Sequence, residues 1–212
     1  MFDFNCDVAQ GYGIYKNDQE FEIAKFTSSI NIAAGFHAGD PVSIKKALMF
    51  AKEHNLAIGA HIGYPDIQGF GNRKMDLAKD ELIAVVTYQV CAISAYANTY
   101  NLEIEQIRTH GALKTAVNES QETAQVVGGA IKKINPWLNL IVQNSTTKEL
   151  LESLGIKSAL EADFSESSTI RAIRENENQI DTIHFKSLDD IKRAYDVLKP
   201  TPINYNRVQK QL

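Results

Sequence analysis

Short apolar runs alternate along this chain with longer segments whose apolar residues recur at helical spacing. The runs "FDFN" (2–5), "SINIAA" (29–34), "LAIGA" (56–60), "EQIRT" (105–109), "LNLIVQ" (138–143) and "KSALEA" (157–162) read as strands, with "IDTIHF" (180–185) as a fainter seventh. The segments 41–54, 79–100, 120–134, 146–154 and 187–198 read as helices. In the first, Ile44, Ala47, Leu48 and Ala51 share one face; in the second, Leu82, Val86, Val90, Ile93 and Ala97 do so. A repeated strand–helix order predicts parallel strands with helices packed outside them. About seven such units predict an α/β fold of the (β/α) barrel type rather than an open sheet. No Pro/Gly/Ser-rich linker or internal repeat breaks the order, so residues 1–212 are expected to form one domain.

Composition narrows the function classes. The chain is 44% hydrophobic and 23% charged, the balance of a soluble globular protein, and its net charge of −4 leaves no basic footprint for nucleic acid. The N-terminal "MFDFNCDVAQ" lacks a signal-peptide pattern, and no apolar stretch is long enough to span a membrane. Cys6 and Cys91, far apart, read as reduced thiols, and the expected compartment is the cytoplasm.

The ionisable residues fall where these elements meet. Asn5, Cys6 and Asp7 follow the first strand, and His37 and Asp40 follow the second, in "NIAAGFHAGDP". His61 ends the third, with Tyr64, Asp66 and Arg73 beyond it in "AHIGYPDIQGFGNR"; Arg108 and His110 close the fourth, in "RTHGAL". In a parallel barrel the carboxyl ends of the strands carry the active site. Asp7, His37, His61 and His110 are therefore the candidate catalytic residues. Asn5, Asp40, Tyr64, Asp66, Arg73 and Arg108 are the candidate substrate-binding ones. Asp40 precedes Pro41 and also fits the N-cap of a helix. His54 and His184 are read as a helix-end and a late-strand residue with no place at the site. Imidazoles and carboxylates together suit proton transfer near neutral pH. The same four catalytic candidates are also the candidate ligands of a divalent metal, although no local metal motif such as H-E-x-x-H occurs. Neither G-x-x-x-x-G-K-[ST] nor G-x-G-x-x-G is present, so no nucleotide loop is visible.

"FNCDVAQGYG", "NIAAGFHAGDP", "IGAHIGYPDIQGFGNRKMDL" and "RTHGAL" resemble, in order and spacing, the signature blocks of the LamB/YcsF family, which are the A-type subunits of 5-oxoprolinase. The resemblance is dense over 2–118 and thins beyond. It implies a barrel-like fold related to the glycoside hydrolase and polysaccharide deacetylase barrels. It implies ATP-dependent opening of the 5-oxoproline (pyroglutamate) lactam to L-glutamate, with ATP as co-substrate and 5-oxoprolinase subunits B and C as partners. The chain departs from the family pattern where Ala9 and Gln10 replace Gly and Glu, and where Arg108, Thr109 and Lys114 replace Lys, Pro and Tyr. The family's F-A-D-R after the sixth strand is also missing, with Asp163 or Arg171 as its nearest substitutes. The expected protein is thus a working lactam hydrolase, or else a catalytically impaired homologue that binds a small carboxylate or partner proteins.

Overall fold

A computed structural model describes residues 3–17, 19–164 and 182–198. Seven strands, β1 (Asp3–Val8), β2 (Ser29–Ala33), β3 (Ala57–Ile62), β4 (Ile104–Thr109), β5 (Asn139–Val142), β6 (Ser158–Asp163) and β7 (Thr182–His184), close into a barrel in sequence order. Every pairing is parallel, and β7 returns to β1 through Asp3↔Thr182 and Asn5↔His184. The expected barrel is thus the observed one. Helices α1 (Gln19–Ala24), α2 (Pro41–His54), α3 (Lys79–Asn98), α4 (Gly111–Glu119), α5 (Gln121–Ile134), α6 (Ser145–Ser153) and α7 (Leu188–Leu198) connect and cover the strands. No described helix is long and apolar enough to cross a membrane.

The strand pattern explains what fills the barrel. Along "DFNCDV", Phe4, Cys6 and Val8 belong to apolar clusters, while Asp3, Asn5 and Asp7 alternate to the other face. That other face is the interior, since its side chains bond to strands that are not neighbours of β1: Asp7 to Arg108 on β4, and Asn5 to Glu161 on β6. Ser29, Asn31, Gln106 and Thr182 join the same network. The hydrophobic core therefore lies between strands and helices, around buried residues such as Ile30, Leu48, Ile93, Ile107 and Ile131. A smaller apolar cluster of Phe4, Phe164, Ile183, Phe185 and Ile191 packs α7 where the barrel closes.

Helix α2 forms as its sequence predicts. Asp40 accepts from the N–H of Val42 and Ser43, the Ser43 hydroxyl answers by accepting from the Asp40 N–H, and Pro41 occupies the first turn. The other Asp40 oxygen accepts the Gly13 N–H, 3.0 Å away, tying the β1–α1 loop to this helix. Replacing Asp40 by Ala is expected to lower stability by about 1 kcal/mol, the usual value of an N-cap, read as a shift of the urea midpoint. Helices α1 and α4 are additions to the sequence reading. The first is a single short segment, and the second begins at Gly111, where a glycine hides the Leu113–Val117 face that is buried behind it.

Candidate functional site

Asp7 lies at the centre of the strand ends. Its Oδ2 is 2.8 Å from Arg108 Nη1, 3.1 Å from His61 Nε2 and 3.5 Å from His184 Nε2, and its Oδ1 accepts from Asn31 at 3.1 Å. Burial alone would raise the Asp7 pKa, but the Arg108 guanidinium, with the two imidazoles, outweighs it and holds the group well below the ordinary carboxylate value. Arg108 is buried and forked: Nε and Nη2 grip Glu161 at 2.8–3.0 Å while Nη1 reaches Asp7. Glu161 also accepts from Gln143 and Asn5. A carboxylate–guanidinium–carboxylate chain therefore crosses the barrel from β1 to β6, with its lone pairs satisfied.

The histidines form a second layer on Asp7. His61 Nδ1 faces the Arg108 carbonyl at 3.1 Å, and His110 Nε2 faces the Phe70 carbonyl at 2.7 Å. A carbonyl only accepts, so both of these nitrogens carry hydrogen. The remaining nitrogens, His61 Nε2 and His110 Nδ1, face each other 3.0 Å apart. Burial lowers the His110 pKa to about 4, with His61 adding to the effect. His37 stacks on His110 with ring centroids 4.1 Å apart and meets His61 edge-on at 5.0 Å. Its exposure is 1%, and among the described residues neither of its ring nitrogens has a hydrogen-bond partner. Burial, reinforced by the neighbouring imidazoles, pushes its pKa far down, so the ring is neutral.

The loop between β3 and α3 shapes this packing. A Cβ on Gly71, whose φ is +70°, would sit 2.8 Å from both His37 and His110; one on Gly63 would sit 2.8 Å from His37 Nδ1. Glycine at both positions is what lets the rings nest. Phe70 itself holds a left-handed φ of 52°, which turns its carbonyl to His110.

A cavity of about 380 Å³ opens onto the layer. Asp7, Arg108, His110 and His184 line its floor, and Gln10, Phe70, Lys114 and Lys186 are among its walls. Burial depresses the Lys114 pKa, and among the described residues its ammonium makes no hydrogen bond or ion pair. Lys186 is bonded to Asp163.

Several expected site residues lie elsewhere. Asp40 spends its carboxylate on the α2 cap and on Gly13. Asp66 is bonded to Arg73 and to the N–H of Gly69 and Arg73, so this pair folds the β3–α3 loop. Tyr64 is buried in the core cluster behind that loop. None of these four borders the cavity. Asn5 lies beneath Asp7, bonded to Asn31, Thr182 and His184. His37 and His61 sit behind the cavity wall formed by His110 and Asp7. Cys6 is a buried thiol whose pKa burial pushes up, which keeps it neutral. His54 ends α2, stacked on Phe50.

His184 corrects the sequence reading. It faces Asp7 from β7 and borders the cavity, because barrel closure brings β7 beside β1. Its Nδ1 donates to Asn5 Oδ1 at 2.8 Å, and burial and Arg108 lower its pKa to about 4. Sequence reasoning also misses Glu161, Gln143 and Asn31; the lone acidic residue inside "SALEA" is the available signal for Glu161. Ala9 has a left-handed φ of 60°, the backbone that suits the glycine of the family pattern. Arg171 lies outside the described residues.

Fold and site together define a parallel α/β barrel with a buried histidine–carboxylate cluster at the carboxyl ends of its strands. The LamB/YcsF family model matches residues 2–180, and the chain belongs to that family. It is 40% identical over 161 residues to the 5-oxoprolinase A-subunit of Acinetobacter baumannii strain ACICU, covering 76% of this chain and 63% of that protein. Its identity to the 5-oxoprolinase A-subunit of Pyrococcus abyssi is 38% over 160 residues, 75% of this chain and 63% of the relative. The chain thus spans under two thirds of the length of these relatives. The crystal structure of the lactam utilization protein from Thermus thermophilus superposes with a TM-score of 0.82 at 30% identity, covering 92% of this chain and 94% of that one.

Proposed function

We propose that this protein opens the 5-oxoproline lactam to L-glutamate, in an ATP-dependent reaction carried out with partner subunits of the B and C type. The observation that carries this reading is the 40% identity to a protein named as the A-subunit of 5-oxoprolinase. The site supports it chemically. A lactam is a resonance-stabilised amide, so opening it needs an activated carbonyl and a proton for the departing nitrogen. Transfer of the ATP γ-phosphoryl group to the lactam oxygen activates the carbon and releases ADP. Water adds there, the ring C–N bond breaks as nitrogen is protonated, and a second water hydrolyses the resulting acyl phosphate to glutamate and phosphate. With no phosphate-binding loop pattern in this sequence, the nucleotide is assigned to the partners.

In this scheme the cavity holds the lactam, His110 and Asp7 face the reacting carbonyl, and the Asp7–His184 pair handles the proton the ring nitrogen takes. Lys114, whose ammonium is unspent among the described residues, holds the substrate carboxylate. Titration calorimetry should show 5-oxoproline binding more tightly than pyrrolidin-2-one, which lacks the carboxylate. Lys114→Gln should weaken 5-oxoproline about tenfold or more and erase that preference, since a hydrogen bond to a charged group is worth about 1.5–3 kcal/mol. Equal binding of the two lactams to the unaltered protein would remove Lys114 from this role. Binding of neither would remove the cavity as the lactam site.

A further inference from the structure

We propose that His37, His61 and His110 bind one divalent transition-metal ion, with Asp7 beside them balancing its charge. One potential donor nitrogen from each of the three imidazoles lies within 4.8 Å of the others. The placement of the ring hydrogens calls for such an ion. With His61 Nδ1–H committed to the Arg108 carbonyl and His110 Nε2–H to the Phe70 carbonyl, two neutral rings would set lone pair against lone pair at 3.0 Å. Something positive must lie between them. A proton on His61 Nε2, shared with His110 and facing Asp7 Oδ2 at 3.1 Å, would meet that need at this pair of rings. It would leave both nitrogens of His37, buried at 1% exposure, without partners, an arrangement that costs about 1–3 kcal/mol for each unsatisfied group. One ion held by all three rings accounts for the facing lone pairs and for one of the two orphaned nitrogens of His37 together.

The surroundings fit such an ion. Imidazole donors select zinc, cobalt, nickel or copper over magnesium or calcium. Three histidines leave a coordination position for water or substrate. Asp7 and Glu161 against Arg108 leave one net negative charge near the cluster. The two carbonyls that orient His61 and His110 are the outer partners a metal-bound imidazole needs. His37 and His110 are stacked within 9° of parallel, so binding requires His37 to tilt until its lone pair meets the ion. When bound, the ion would supply Lewis acidity beside His110 and Asp7, the two neighbouring residues that border the cavity.

Metal binding is tested independently of the lactam reading, because the experiment reads metal rather than turnover. Chelator-stripped full-length protein is titrated with Zn²⁺ and with Co²⁺, followed by elemental analysis, visible Co²⁺ absorption and ¹⁵N-histidine spectra. The expected result is one ion per chain, with the His37, His61 and His110 resonances shifting and that of His54, at the far end of α2, unmoved. His61→Ala and His110→Ala should each weaken binding by at least about 100-fold, beyond the 10–100-fold that loss of an outer partner produces. If those variants do not fold, the spectra of the unaltered protein decide. Absence of stoichiometric Zn²⁺ or Co²⁺ binding overturns the proposal. So does undiminished binding in folded variants, or a ¹⁵N spectrum in which His61 and His110 still share a proton at saturating metal.

Discussion

Arg108→Met should destabilise the protein by about 3–5 kcal/mol, the usual penalty for stripping one partner from a buried ion pair. The guanidinium is buried and its donors are divided between Asp7 and Glu161, which would otherwise face one another inside the barrel. Methionine nearly fills the volume but leaves two buried carboxylates with no cation. Pairing the change with Glu161→Met removes one of them, so the double variant should lose less than the sum of the two single ones. Urea denaturation of the four proteins gives the coupling directly. A loss below about 1 kcal/mol for Arg108→Met would mean that the charges are solvated rather than interdependent.

Asp7→Asn carries the largest expected effect on activity. Asparagine keeps the shape, and its single amide oxygen can still accept from Arg108, while its NH2 takes the place of the oxygen that accepts from Asn31; circular dichroism checks that the fold persists. The amide cannot carry the charge that faces His61 and His184. Turnover of 5-oxoproline should fall about 10²–10⁴-fold, the range for loss of a positioned acid–base group, while 5-oxoproline affinity changes only a few-fold. Turnover close to that of the unaltered protein would exclude Asp7 from the chemistry.

The parts of this site that are readable in the sequence are those set by local pattern. Alternation in "DFNCDV" places Asp7 on the inward face, and Asp40 with Pro41 announces the start of α2. Histidines at successive strand ends converge because parallel strands share one direction. What stays hidden depends on closure. Glu161 and His184 meet Arg108 and Asp7 only because the last strands return to the first, far apart along the chain. Tyr64, Asp66 and Arg73 lie away from the cavity for the opposite reason. Their motif is dense and local, but its carboxylate and guanidinium are consumed in folding the loop that seats His37 and His110.

Lactam opening is tested most directly by one assay. The purified protein is combined with the B- and C-type subunits proposed as its partners, 5-oxoproline and ATP, and glutamate and ADP are measured together. Glutamate release matched by ADP is the expected result, with none when any protein or ATP is omitted. No glutamate from this protein, under conditions where a relative with the full family pattern works in the same assay, would contradict the claim and favour the impaired, ligand-binding homologue.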